Sequence, residues 1–544
     1  MPSEDEEDFQ RPDPEIQPQQ PSDGQSFEIT NLEIIGSTVF SEEELKKVAI
    51  PFLVSLPTDL PGEVDSDSEG THNAEINARA AHIDVLEGGV EVTLGQLRQA
   101  ANAITNVYLT SGYITSRATI PEQTIADGRV QIQVIEGTLE EIQVEGTDRL
   151  ADYVRSRIAL AGQSPLNAQA LESQLRLLRT DPLFDDVKAD LLRGTQPGSS
   201  IVAAQVDPAN PLQGNIGFDT DSPLSVGRYR VGSTLQYFNL LGLGDRFSAS
   251  ANITTTGGSQ SYEMAYQIPL NPMNGTISLR FAPSNFRITN TAVTGGSESN
   301  GTSDIYEVQV RQPLIRTFEE ELAVSLGFRY RDGSSVLNGF VTPPIETSVF
   351  TLGQDYRRRD AQGTWVARSE FRIGTDLFGA TERPDPQPDG QFFLWSGQVQ
   401  RVQRLSSRHL LVMQLDTQLT PDNLVGSEQF FLGGPGSVRG YFKNQRFGDN
   451  GVQVSIADYI TLLRDADNRS IIQLVPFVDA GYAWFNNADV QDAIGQENFL
   501  LSTGMGLITS PIEGLNASVE LGVPLISVEG SPDVLVDFNL RYSF

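Results

Sequence analysis

The stretch ELAVSLGFRY, Glu321–Tyr330, alternates without a break: Leu322, Val324, Leu326, Phe328 and Tyr330 share one side of an extended chain, and Ala323, Ser325, Gly327 and Arg329 share the other. A period of two is that of a strand with one apolar face. A water-soluble sandwich shows the same alternation when that face is buried between sheets, so recurrence has to decide. From Gly214 to the end, segments of about ten residues repeat the pattern, as membrane strands do. The last of them sets Phe538, Leu540, Tyr542 and Phe544 against Asp537, Asn539, Arg541 and Ser543. Sixteen such segments begin near Gly214, Gly227, Asp245, Gln260, Thr276, Ser303, Glu320, Glu346, Gly363, Phe392, Arg408, Gly448, Ile471, Asn498, Gly514 and Asp533. The even count and the alternation of short connections (NPMNG, DAQG, LSSR, SPIEG) with long ones predict a closed transmembrane β-barrel of sixteen antiparallel strands over residues 208–544. Two short early outer connections weaken that asymmetry. Both ends of the barrel then lie on the periplasmic side, with the preceding residues beside them.

Those preceding residues follow a different grammar. FEITNLEIIGSTVF reads as a strand, and Ser41-Glu42-Glu43-Glu44 as a capping box that opens a helix. The segment LGQLRQAANAITNVYLTSGY carries Leu94, Leu97, Ala101, Ile104 and Leu109 at near-helical spacing, and the strands TSRATIP and GRVQIQVIEG follow it. The order is β-α-α-β-β. It recurs in LEEIQVEG, LADYVRSRIAL, NAQALESQLRLLRTDPLF, FDDVKADLLRG and SSIVAAQVDP, an internal repeat. Residues 26–137 and 138–207 are therefore read as two copies of one small α/β domain, the first with an acidic insertion at about 56–91. Met1–Gln25, with five consecutive acids (Glu4 to Asp8) and several prolines, reads as a disordered linker and as a processed terminus rather than a targeting segment.

Composition excludes several functions. Against 38 Lys and Arg stand 71 Asp and Glu, a net charge of −33, which argues against nucleic-acid binding. There is no Cys, and the three His (His72, His82, His409) are scattered, so thiolate, zinc and disulfide chemistry are excluded. No run of 18 apolar residues exists to form a transmembrane helix. Neither a G-x-x-x-x-G-K-[ST] loop nor a G-x-S-x-G elbow occurs, and Gly434, Gly436 and Gly440 do not have G-x-G-x-x-G spacing. The chain is read as no enzyme, with no cofactor, no metal and no catalytic residue.

One glycine-rich stretch remains, FLGGPGSVRGYF at Phe431–Phe442, with Gly433, Gly434, Gly436, Val438, Arg439, Gly440 and Tyr441. It falls between the eleventh and twelfth segments and resembles the VRGY/F motif in the sixth extracellular loop of a superfamily of outer-membrane barrels. That superfamily holds the two-partner secretion transporters (TpsB type, the haemolysin secretion/activation family) and the outer-membrane protein assembly factors. The two β-α-α-β-β repeats resemble its POTRA domains, and a pair of them is the pattern of the secretion branch. PFVDAG, Pro476–Gly481, is similar to the family's F-x-D-x-G on the thirteenth strand, with Phe477, Asp479 and Gly481. The residues lead to the same wall, since Ile472, Leu474, Pro476, Val478, Ala480, Tyr482 and Trp484 form an apolar face and turn Asp479 into the lumen.

A lumenal carboxylate and a guanidinium on a glycine-rich loop predict that the loop folds inward and that Arg439 pairs with Asp479, in the bidentate manner open to Arg but not Lys. The resemblance implies export of a secreted partner protein, in unfolded form, through a porin-like pore without nucleotide hydrolysis. Its client would be chosen by the periplasmic POTRA domains, through strand addition at an exposed sheet edge. In the second repeat, NAQALESQLRLL and FDDVKADLL are candidates for such a groove. Tyr542 and the terminal Phe544 resemble the aromatic ending recognised by barrel-assembly machinery, and would also suit the lipid interface of the outer membrane. The alternative functions are an outer-membrane protein assembly factor and a passive diffusion channel.

Overall fold

Reciprocal capping boxes start the first two α-helices among the described residues. Glu44 N–H donates to Ser41 Oγ and Ser41 N–H to Glu44 Oε2, opening α1 (Glu42–Ala49); Thr93 and Gln96 make the same exchange at the head of α2 (Leu94–Thr110). The computed structural model describes residues 26–54, 86, 88–384, 386–489 and 498–544. The stretch read as a linker, 1–25, and most of the insertion read at 56–91 lie outside the described residues. The chain divides into two units, Met1–Ala209 and Asn210–Phe544.

In the first unit, the single strand expected over FEITNLEIIGSTVF is two, β1 (Ser26–Ile29) and β2 (Asn31–Ile35), because they serve different partners. β1 pairs antiparallel with β3 (Val90–Thr93), which takes up the end of the stretch read as insertion. β2 joins a sheet with β4 (Arg117–Thr119) and β5 (Arg129–Ile135) in the order β2-β5-β4. The second repeat comprises β6 (Thr138–Glu145), α3 (Ala151–Ile158), α4 (Ala168–Arg179), β7 (Phe184–Arg193) and β8 (Ser199–Pro208), with sheet order β6-β8-β7. In both, the first strand runs parallel to the last and the middle one lies at an edge. One glycine makes the repeat visible at atomic scale. Gly36 and Gly146 each follow the first strand at positive φ (84° and 92°), where a Cβ would stand 2.4 Å from Val134 O and 2.0 Å from Val206 O.

The helical reading of α2 needs one correction. Leu94 is exposed and Leu109 only half-buried, whereas Tyr108 is fully buried with Leu97, Ala101 and Ile104. Its hydroxyl lies 2.8 Å from both Ser37 Oγ and Glu136 Oε1, so the ring can be buried without stranding its polar end. Burial pushes the Glu136 carboxyl up, but bonds donated by Thr38 Oγ1, Thr38 N–H and Tyr108 outweigh it and hold the group below the ordinary glutamate range. Stabilisation from such a group is fully present above the unfolded pKa and is lost as pH falls through the lower folded one. Glu136→Gln is therefore expected to speed amide exchange in α2 about tenfold at pH 7. The gap from wild type should close as pH falls below the ordinary 4.5. Exchange mass spectrometry of the full chain in detergent checks this; equal rates at pH 7 contradict it.

The repeats are joined through main chain. Leu166 N–H donates to Gly137 O (2.7 Å) and Ala168 N–H to Gly112 O (2.9 Å). Asn167, which caps α4, also donates from Nδ2 to Ser111 O at the end of α2.

The second unit is a closed antiparallel barrel with sixteen spanning strands. Their starts track the alternation; the largest displacement is at the sixth, expected near Ser303 and found at Ser299. Closure comes from the sixteenth strand (Leu535–Ser543) pairing with the first (Leu212–Asp219), while Gly214 and Phe544 exchange both main-chain bonds at 2.9 Å. On the seventh strand (Glu320–Leu337), Ala323 and Ser325 are buried inside while Leu326 is exposed outward. Connections on one end are as short as residues 361–362 and 513–514; on the other they reach 376–392 and 420–449. No helix among the described residues is long and apolar enough to cross a membrane.

Candidate functional site

The connection 420–449 does not project outward; it returns into the barrel. Its stem is a short antiparallel pair, Phe430–Leu432 with Arg446–Gly448. Phe430 can enter because Gly451 has no side chain: a Cβ there would stand 2.0 Å from the ring. Beyond the stem, Gly433, Gly434, Gly436 and Gly440 all have φ between 84° and 102°. Ser437 Oγ accepts from Gly433 N–H and donates to Gln453 Oε1 on the wall (2.6 Å).

This course delivers Arg439 to the thirteenth strand (Ser470–Trp484). Nε donates to Asp479 Oδ2 (2.7 Å), Nη2 to Oδ1 (2.9 Å), and the Arg439 main-chain N–H to Oδ2 (3.1 Å). Asp479 is fully buried and Arg439 is 8% exposed. Ser455, opposite Asp479 on the twelfth strand (Asn450–Arg464), donates to Oδ1 at 2.7 Å and accepts from Nη2. The guanidinium carbon stands 3.6 Å from the centre of the Phe477 ring, a cation–π contact that shields the pair from water. Glu520 Oε1 lies 3.5 Å from Nη1.

The other motif residues pack around this pair. Val438, Tyr441 and Leu432 are fully buried against Ala483, Leu500 and Val528. Tyr441 Oη lies 2.8 Å from both Leu501 O and Ile526 O. Gly481 leaves room for Leu432 and Val438, whose methyls would be 2.7 and 3.1 Å from a Cβ there. Lys443 Nζ reaches Asp221 Oδ1 at 2.6 Å. Tyr542 and Phe544 lie elsewhere, exposed and stacked on each other at the seam.

Sequence reasoning missed Gly522, on the fifteenth strand (Leu515–Pro524). A Cβ there would stand 2.4 Å from Gly440 N and 2.5 Å from Gly440 Cα, so loop and wall touch backbone to backbone. The available hint was a small residue at a lumen-facing position. Which lumen-facing glycine matters is set by the loop's path, and no local pattern encodes that.

The sequence profile of the family described as haemolysin secretion/activation protein ShlB/FhaC/HecB matches residues 198–508. That of the ShlB-type POTRA domain matches residues 68–137. The outer membrane transporter CdiB of Dickeya dadantii is 26% identical over 370 residues, 66% of this chain and 65% of that protein, so the chain spans just under two thirds of that relative's length. The hemolysin transporter protein ShlB of Serratia marcescens is 25% identical over 385 residues, 68% of each. The structure of CdiB from Escherichia coli superposes with a TM-score of 0.72 at 21% identity, over 97% of this chain and 93% of that one, a likeness of fold.

Proposed function

The chain belongs to the haemolysin secretion/activation protein family, and from that premise we propose that it exports an unfolded partner protein across the bacterial outer membrane through its own barrel. The barrel sits in the outer membrane and the POTRA domains in the periplasm. We assign residues 26–137 and 138–207 as the two POTRA domains and 208–544 as the barrel. The observation that carries the proposal is the inward loop held by the shielded Arg439–Asp479 pair. An open ring of sixteen strands leaves an aqueous lumen, and this loop occupies part of it. Arg439 and Asp479 anchor the loop; the motif glycines with Val438 and Tyr441 fit it to the wall; Phe477 and Gly481 shape the wall to receive it.

Client recognition falls to the POTRA sheets. Strands β4 and β7 each lie at a sheet edge, where an extended chain can add a strand. Beside β4, a groove of about 570 Å³ whose lining mixes Phe27, Leu97, Ile120 and Ile125 with Arg98 and Glu122 supplies side-chain pockets. Folding of the exported chain outside biases its movement outward, so neither nucleotide hydrolysis nor any catalytic step enters the reading. Tyr542 and Phe544 serve barrel assembly and the lipid interface.

Depletion of the protein separates exporter from assembly factor. An exporter strands one secreted protein in the periplasm and leaves other outer-membrane barrels at normal abundance. Loss of many barrels together would overturn the reading. Quantitative proteomics of periplasm, outer membrane and medium checks it.

A further inference from the structure

The lumen lining carries both signs, with Glu370 beside Arg372 and Arg228 beside Asp537, but the parts of it that the inward loop touches offer the loop opposite charges. Arg329 and Arg331 on the seventh strand and Arg372 on the ninth (Gly363–Thr375) face inward on one side. Asp479, Glu520 and Asp537 lie on the thirteenth, fifteenth and sixteenth strands. The inward loop carries the complement of each wall. Its Arg439 and Lys443 meet carboxylates, and its Glu428 meets arginines.

Glu428 is 3% exposed although it belongs to a connection between strands. Arg329 Nη2 donates to both of its carboxylate oxygens at 2.7 Å, and Arg372 Nη1 lies 3.8 Å from Oε2. Its carbonyl accepts from Gln418 Nε2 on the eleventh strand (His409–Leu419), which fixes the backbone from which the side chain leaves. The strand that holds its carbonyl and the strand that holds its carboxylate are separated in the barrel by the eighth, ninth and tenth. A carboxylate out of water is stable only when paired and hydrogen-bonded; here the wall arginines supply the partners.

We infer that Glu428 is a second anchor of the loop, bound to the seventh strand as Arg439 is bound to the thirteenth, so that the loop spans the lumen held at both sides by pairs of opposite polarity. Releasing either end leaves the other tethered, and full opening of the pore requires both to part. The inference rests on the loop acting as the barrier of the pore.

Single-channel recording of the purified full-length protein in planar bilayers tests it, with heat-modifiable migration on gels as the control for a folded barrel. Glu428→Gln is expected to raise the open probability about tenfold, and Arg329→Gln to do the same from the wall side. The Glu428→Gln/Arg329→Gln double variant opens no more than the stronger single, because both remove one interaction. Combined with Arg439→Ala, by contrast, Glu428→Gln multiplies the effect, because the anchors are separate. A role confined to local folding would not produce that split. If Arg439→Ala opens the channel while Glu428→Gln and Arg329→Gln leave it at wild-type level, the second anchor is wrong and the loop barrier stands. Should Arg439→Ala itself leave conductance unchanged, the barrier reading fails. If Glu428→Gln does not assemble, Arg329→Gln alone decides. Effects of Glu428→Gln and Arg329→Gln that multiply would also overturn the inference.

Discussion

Arg439→Ala is expected to cut export of the partner protein by more than about tenfold while the amount of folded barrel in the outer membrane stays at wild-type level. Removing one member of a buried, hydrogen-bonded ion pair costs about 3–5 kcal/mol, against at most about 1 kcal/mol for an exposed pair. Asp479 is fully buried, and without the guanidinium it keeps only Ser455 Oγ and one backbone N–H. The cost falls on the docked loop, because the thirteenth strand is paired along both edges whether or not the loop is present. Arg439→Lys should fall between, since one ammonium cannot make the two parallel bonds of Nε and Nη2. Asp479→Asn should resemble Arg439→Ala, and the double variant should be no worse than either. Secretion at the native rate by Arg439→Ala would remove the anchor from the mechanism.

Gly522→Val is expected to do equal damage from an uncharged position. A Cβ at 522 would lie 2.4 Å from Gly440 N and 2.5 Å from Gly440 Cα, closer than real Cβ atoms come. Gly522 pairs with Gly504 on one side and Leu535 on the other, so the strand cannot retreat. The loop must move instead, and its displacement breaks the Arg439 pair and uncovers Tyr441. Export should drop by more than about tenfold, and trypsin should gain access to Lys443 and Arg446 in otherwise intact cells. Gly522→Ala should show a milder form of both. A loop that stays protected in Gly522→Val, with normal export, would mean that the close approach is not required.

What the residues disclosed and what they withheld divides along physical lines. The barrel was legible because a membrane strand repeats its pattern every two residues, and sixteen copies average out local errors. The same principle reached Asp479, whose apolar neighbours at even positions fix the direction it faces. Tyr108 was misjudged in favour of Leu109 because spacing alone does not say that a tyrosine can bury its ring when Ser37 and Glu136 receive its hydroxyl. FEITNLEIIGSTVF hid its break at Thr30 because both halves alternate, and only the partners, β3 and β5, differ. Ser455 and Glu428 were not legible at all, and Gly522 only as a small residue at a lumen-facing position. Each matters through the course of a thirty-residue connection that is irregular over most of its length, spanning 420–449.

The junction of the two POTRA repeats has a mechanical meaning. Three bonds cross it: the carbonyls of Gly137, Ser111 and Gly112 accept from Leu166 N–H, Asn167 Nδ2 and Ala168 N–H, and a swivel would have to break them. Resistance to swivelling would keep edges β4 and β7 at a set spacing, like two marks on a ruler. Under the proposed recognition, a client that fits one mark would meet the second at a predetermined distance along its own sequence, so selectivity would follow from length as well as from side chains.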